Sequence, residues 1–154
     1  MEQLRGKRIC LIGGAGFCGH HLALALKQHG AQVFVVDGFL VNNIARWVAE
    51  DSPYRDRYMG FLSERIQLLR AAEIPLYSCD ARLYHEFSRT LAKIDPQIIV
   101  HLAAVSHSGR SNKDRHDAFD HSINSLKNTL DYAIGAGVEH LVHQSSSMVY
   151  GNFR

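Results

Sequence analysis

Short apolar runs separated by longer amphipathic stretches organise this chain. Arg8 to Ile12 (RICLI), Gln32 to Val36 (QVFVV) and Gln97 to Leu102 (QIIVHL) are continuous apolar segments without polar alternation, and such segments predict strands buried on both faces. Ile74 to Ser78 and Glu139 to His143 (EHLVH) read as two further strands. Between the first two runs, Phe17 to His29 places Leu22, Leu24, Ala25 and Leu26 at helical spacing, with Gly30 as the stop. Ile44 to Leu69 carries Trp47, Val48, Tyr58, Phe61, Leu62, Ile66, Leu68 and Leu69, interrupted by Pro53, which predicts two helices. Leu83 to Ile94 and His116 to Ala136 are the remaining helical segments, the second ended by Gly137. The polar stretch SHSGRSNKDR, Ser106 to Arg115, reads as a loop leading into the long helix.

Strand alternating with helix, with every strand apolar throughout, predicts a parallel sheet covered on both faces. Right-handed crossovers then give an α/β doubly wound parallel sheet, a Rossmann fold, in the order 3-2-1-4-5. Residues 1–154 are expected to form one such domain, and no internal repeat or low-complexity segment breaks it.

The candidate chemistry lies where the first strand ends. Ile12 to Gly19 reads IGGAGFCG, with Gly13, Gly16 and Gly19 spaced GxxGxxG between a strand and a helix. Gly13 suits the tight turn, Gly16 a close approach of backbone to a pyrophosphate, and Gly19 close packing of the helix on the sheet. The helix start then offers free N–H groups and the positive dipole end to an anion. Taken alone, a glycine triplet is also met as a merely structural turn. Asp37 closes the second strand, where a carboxylate accepts hydrogen bonds from both ribose hydroxyls of an adenosine and repels a 2′-phosphate. Gly38 follows it and supplies no arginine for such a phosphate, so NAD is favoured over NADP. An ordinary turn aspartate before glycine is the competing account of Asp37.

Composition narrows the partners. Hydrophobic residues make up 46% and charged residues 21%, which fits a soluble globular domain. The net charge of +2 is spread without a like-charged run, which argues against a nucleic-acid or membrane partner. The histidines are scattered, so no metal site is expected. Cys10, Cys18 and Cys79 are an odd number with no CxxC pair and read as reduced thiols. Met1 to Arg8 is polar and the following apolar run is soon cut by glycines, so the expected location is cytoplasmic.

Five ordered motifs resemble the extended short-chain dehydrogenase/reductase family, specifically its NAD-dependent sugar-nucleotide epimerases and dehydratases. IGGAGFCG is similar to TGGAGFIG, and VVDGFLVNN (Val35 to Asn43) resembles the strand-end aspartate and polar loop of that family. CDAR (Cys79 to Arg82) is similar to GDIRD, DPQIIVHLAA (Asp95 to Ala104) to DxVIHLAA, and SSSMVYG (Ser145 to Gly151) to SSSxVYG. The resemblance implies bound NAD that removes hydride from a hexose carbon of a nucleotide-sugar substrate, and a homodimer. It implies cofactor contacts at Gly13, Gly16, Phe17, Cys18, Gly19, Asp37, Asn43, Asp80, Ala81, Leu102, Ala103, Ala104 and Ser106. Asp80 would hold the adenine amino group and Asn43 would reach the ribose. Ser122 stands where the family usually has an asparagine near the cofactor, with Asn124 the alternative. In the family a serine or threonine after the fifth strand hydrogen-bonds the reacting oxygen; Ser146 is the counterpart here, with Ser145 as alternative. That position suits a ligand on general grounds, because open α/β sheets bind beyond the carboxyl ends of their strands, although a serine-rich strand exit can also serve its own backbone.

Departures from the family pattern sharpen the expectation. Dehydratases carry Asp-Glu where this chain has Ser147 and Met148; a methionine transfers no proton, so epimerase-like hydride transfer is preferred over dehydration. Arg110 and Lys113 are candidates to meet a phosphate or carboxylate, against the reading of a solvated charged loop. None of Tyr54, Tyr58, Tyr77, Tyr84, Tyr132 and Tyr150 begins YxxxK, the tyrosine and lysine pair that the family uses as base. The expectation is therefore an N-terminal cofactor half, inactive alone, with the base and most of the substrate site elsewhere. The alternative is a standalone dinucleotide-binding or NAD-sensing module.

Overall fold

The computed structural model describes residues 2–41, 44–49, 51–105 and 108–151. Five strands form one sheet: β1 (Arg8–Ile12), β2 (Gln32–Asp37), β3 (Leu76–Ser78), β4 (Ile98–His101) and β5 (His140–His143). Its order is β3-β2-β1-β4-β5 and every pairing is parallel. The helices are α1 (Phe17–Gln28), α2 (Ile44–Ala49), α3 (Arg55–Ala71), α4 (Tyr84–Ile94), α5 (Ser108–Lys113), α6 (Arg115–Phe119) and α7 (Ser125–Ala136). The anticipated doubly wound order is the one found, because a right-handed β-α-β crossover packs its helix back on a right-twisted sheet only one way.

Strand residues alternate between two cores, which is why they had to be apolar on both sides. Ile9 and Leu11 of β1 face the layer of α1 and α3, with Val33, Val35, Val100, Ala23 and Leu69. Cys10 and Ile12 face the layer of α4 and α7, with Val36, Ile99, Phe87, Leu91, Ile94, Tyr132 and Ala133. β5 differs, since its residues are exposed or half-buried and β4 is its one sheet partner among the described residues. No helix among the described residues is long and apolar enough to cross a membrane.

Two segments depart from the sequence pattern. Ser108–Lys113, anticipated as loop, is helical. The expected unbroken helix over 116–136 starts at Arg115 and contains a π turn at Asp120–Asn124. The Asp114 side chain caps that start by accepting from the Asp117 amide at 2.9 Å, a polar signal of the N-cap type.

Candidate functional site

The parallel sheet brings the ends of β1, β2, β3, β4 and β5 to one edge, and the sequence-predicted residues that the structure describes lie on the segments leaving those ends or on the helices beside them. At the end of β1, Gly13 has φ +79°, and a Cβ on it would lie 2.8 Å from the Ala103 nitrogen. The first turn is thus pressed against the chain leaving β4. Gly14, whose need for glycine the sequence did not disclose, would place a Cβ 2.9 Å from Leu11 and Val35. Gly19 would place one 2.6 Å from the Gly14 Cα, so its smallness fits helix to loop rather than to the sheet at large. Gly16 is different. Its φ is −71° and a Cβ there would meet only the Gly13 carbonyl oxygen, at 3.2 Å. That contact is tight but milder than those at Gly13, Gly14 and Gly19, so the fold demands glycine least at this position.

No side chain caps α1 at Gly16, which leaves the amides of Phe17, Cys18 and Gly19 in the position of any uncapped helix start. His20 is buried, and its Nδ1–H donates to the Gly16 carbonyl at 3.0 Å, steadying the loop from behind. Burial lowers the affinity of that ring for a second proton, although the Gly16 carbonyl works the other way. Phe17 is exposed and lies under the Arg65 guanidinium, 5.6 Å from its ring centre. Cys18 is an exposed thiol.

Asp37 binds the loop to β2. Its carboxylate accepts from the Ala15 amide at 3.0 Å and from the Phe39 amide at 2.8 Å. Burial raises its pKa, while those two N–H groups hold it down. A carboxylate has about four lone-pair sites, so acceptor capacity remains for hydroxyl groups. Asp80 stands next door: its Cα is 3.5 Å from where a Cβ on Gly38 would lie. The Arg82 amide donates to Asp80 at 3.0 Å and its guanidinium at 2.7 Å, while a second guanidinium nitrogen reaches Asp120 at 2.8 Å. Burial acts to raise the Asp80 carboxyl, yet the Arg82 contacts outweigh it and the net direction is downward. Ala81 is buried. Asn128, which the pattern of an amphipathic helix does not single out, donates to the Ala81 and Arg82 carbonyls, both at 2.9 Å.

Beyond β4, Leu102 donates its amide to the Ile12 carbonyl at 2.8 Å. Leu102 and Ala103 are half-buried and Ala104 is exposed. Ser122 accepts from the Val105 amide at 3.1 Å and so pins this segment. Asn124 instead donates to Asp120 within its own turn. His101 closes β4 fully buried. The Ser125 hydroxyl donates to the His121 carbonyl at 2.6 Å and therefore faces the His101 Nε2 as acceptor, at 3.2 Å, which places the ring hydrogen on Nε2. The buried Nδ1 of His101 has no hydrogen-bond partner among the described residues. Burial first, and His143 second, lowers the ring pKa to about 4. Ser145 and Ser146 follow Gln144, whose amide donates to the His101 carbonyl at 3.0 Å. Both serines are exposed, and the Ser146 carbonyl accepts from Val149 at 3.2 Å in a short turn. Asn43 and Ser106 lie outside the described residues.

Known proteins resemble this chain in sequence and fold. The family model described as the NAD dependent epimerase/dehydratase family matches residues 9–154. A UDP-glucose 4-epimerase of Neisseria meningitidis serogroup B is 25% identical over 146 residues, covering 95% of this chain and 38% of the relative. The mouse UDP-glucose 4-epimerase is 29% identical over 150 residues, covering 95% of this chain and 39% of its own. Among solved structures, a UDP-glucose-4-epimerase from Stenotrophomonas maltophila with bound NAD and formylated UDP-arabinopyranose superposes with a TM-score of 0.75 at 27% identity. That match covers 96% of this chain and 39% of the other. The chain thus spans about two fifths of the length of these relatives.

Proposed function

The chain belongs to the NAD-dependent epimerase/dehydratase family, and from that premise we propose that it is the NAD-binding portion of a sugar-nucleotide epimerase. One observation carries the reading: the Asp37 carboxylate is tied by the Ala15 amide to a glycine loop whose Gly16 is the position where the fold demands glycine least. Diphosphate oxygens then meet the amides of Phe17, Cys18 and Gly19 at the positive end of α1. Asp37 accepts from the adenosine ribose, and the turn at Asp80 and Ala81 receives the adenine. Leu102, Ala103 and Ala104 flank the nicotinamide end, with Ser122 fixing the segment behind them.

NAD, when bound, supplies the hydride acceptor for oxidation of a hexose hydroxyl. Ser146 is the residue of this chain placed to hydrogen-bond the reacting oxygen, at the end of β5. No YxxxK occurs in this sequence, so in this reading the proton-accepting tyrosine is not among residues 1–154. The nucleotide-sugar substrate and the homodimer belong to the same proposal; the Stenotrophomonas protein, crystallised with NAD and a UDP-sugar, supports the first of them.

Isothermal titration tests the cofactor assignment. A second negative charge beside Asp37 is repelled at short range, so NAD should bind at least about tenfold more tightly than NADP. Asp37→Ala should weaken NAD and erase that preference. Equal binding of the two coenzymes by the unaltered chain removes Asp37 from the role.

A further inference from the structure

We propose that Asn128 is a positioning residue for the adenine end of the cofactor site, acting through the turn at Asp80–Arg82; this rests on the reading that the turn receives adenine. Asn128 lies on α7, far along the sequence from that turn, and is buried. Its side-chain nitrogen donates both hydrogens, to the Ala81 and the Arg82 carbonyls, each at 2.9 Å. These carbonyls lie past the β2–β3 pairing, whose last bond runs from the Cys79 amide to the Asp37 carbonyl at 3.0 Å. The next element, α4, begins at Tyr84 without a side-chain cap. Within the turn the Leu83 amide donates to the Asp80 carbonyl at 3.0 Å, which leaves the Ala81 and Arg82 carbonyls to Asn128, and buried carbonyls without donors are costly.

A second tie reinforces the first. Arg82 grips Asp80 at 2.7 Å and Asp120 of the π turn at 2.8 Å. The helical arm from Asp120 through Asn128 thus fixes both the backbone of the turn and the side chain that orients Asp80. Three N–H groups of Arg82 reach the Asp80 carboxylate, which leaves about one of its four acceptor sites. A single remaining site discriminates well only when its direction is set, and the Asn128 amide sets it by immobilising the peptide units on either side of Arg82, the residue that grips Asp80. Asn128 itself touches no cofactor in this account.

The experiment compares NAD with nicotinamide hypoxanthine dinucleotide, in which a carbonyl replaces the adenine amino group, by titration calorimetry on the full chain. The unaltered protein should favour NAD by about tenfold or more, the worth of one hydrogen bond to a charged acceptor. In Asn128→Ala, and in the near-isosteric Asn128→Leu, NAD should weaken and the preference should fall to about threefold or less. The ratio does not depend on the fraction of folded protein, so a purely structural role leaves it unchanged. A ratio near one in the unaltered chain overturns the adenine reading of the turn. A preference present there and intact in either variant overturns the role of Asn128.

Discussion

At the scale of single residues, glycines that look alike in sequence do different work. Gly13, Gly14 and Gly19 are required by the chain itself, because a Cβ at each would approach neighbouring atoms within 3.0 Å. Gly16 is required by what the loop is proposed to hold. Two substitutions separate these cases. Gly16→Val should lower stability less than a substitution at Gly19 and weaken NAD by at least about a hundredfold, since its side chain would stand where the diphosphate approaches. Gly19→Ala should lower stability by roughly 1–3 kcal/mol through overpacking, with the loss visible in the absence of coenzyme. Equal affinity in the valine variant would show that the loop cradles no phosphate. The triplet itself was legible in the sequence; the division of labour was not, because spacing does not reveal which Cβ would collide with backbone.

Elements were legible where hydrophobicity carried the signal. All five strands were anticipated, with β2 running one residue further, to Asp37; for β1, β2 and β4 the signal is plain because burial on both faces leaves little polar alternation. The Ser108–Lys113 helix has no apolar periodicity at all, so pattern reading passes over it. The π turn is equally silent, since its support comes from Ser125 donating to the His121 carbonyl and from Asn124 donating to Asp120, local contacts that leave no hydrophobic trace. Asn128 and Ser125 carry no sequence signal for the related reason that polar residues within a helix normally read as its solvent face.

The link from β4 to this turn has a consequence for pH. His101 is held neutral by burial, with a folded pKa of about 4 against an ordinary value of 6.5. Between those values the unfolded chain binds a proton that the folded chain does not, so stability falls as pH drops through that window. From pH 7.5 to 4.5, urea unfolding should show a loss of roughly 2–3 kcal/mol that His101→Gln does not show. His20 acts in the same direction and Asp37 in the opposite one, but both are shared by the two proteins and cancel in the comparison. Parallel losses in the two would mean that His101 does not carry the window.

For the whole molecule, the sheet is covered unevenly. Val100 and Val142 are direct partners in register and point to the same face, yet Val100 is 9% exposed and Val142 43%. Val142→Lys should therefore change stability by less than about 0.5 kcal/mol, while Val100→Lys should cost about 4 kcal/mol or more, as a buried unpaired charge does. Chemical denaturation of the two variants checks the contrast, and comparable losses would mean that β5 is as well packed as β4. The open side of β5 is consistent with a chain that spans about two fifths of its relatives' length.

In the proposed function the carboxyl edge of this sheet holds NAD, with the diphosphate on the amides that open α1 and the ribose on Asp37. A crystal structure of the chain with NAD tests it most directly. The account predicts density for the diphosphate against Phe17, Cys18 and Gly19, with the ribose hydroxyls on the Asp37 carboxylate. Coenzyme seated at any other place, with that edge empty, would contradict it.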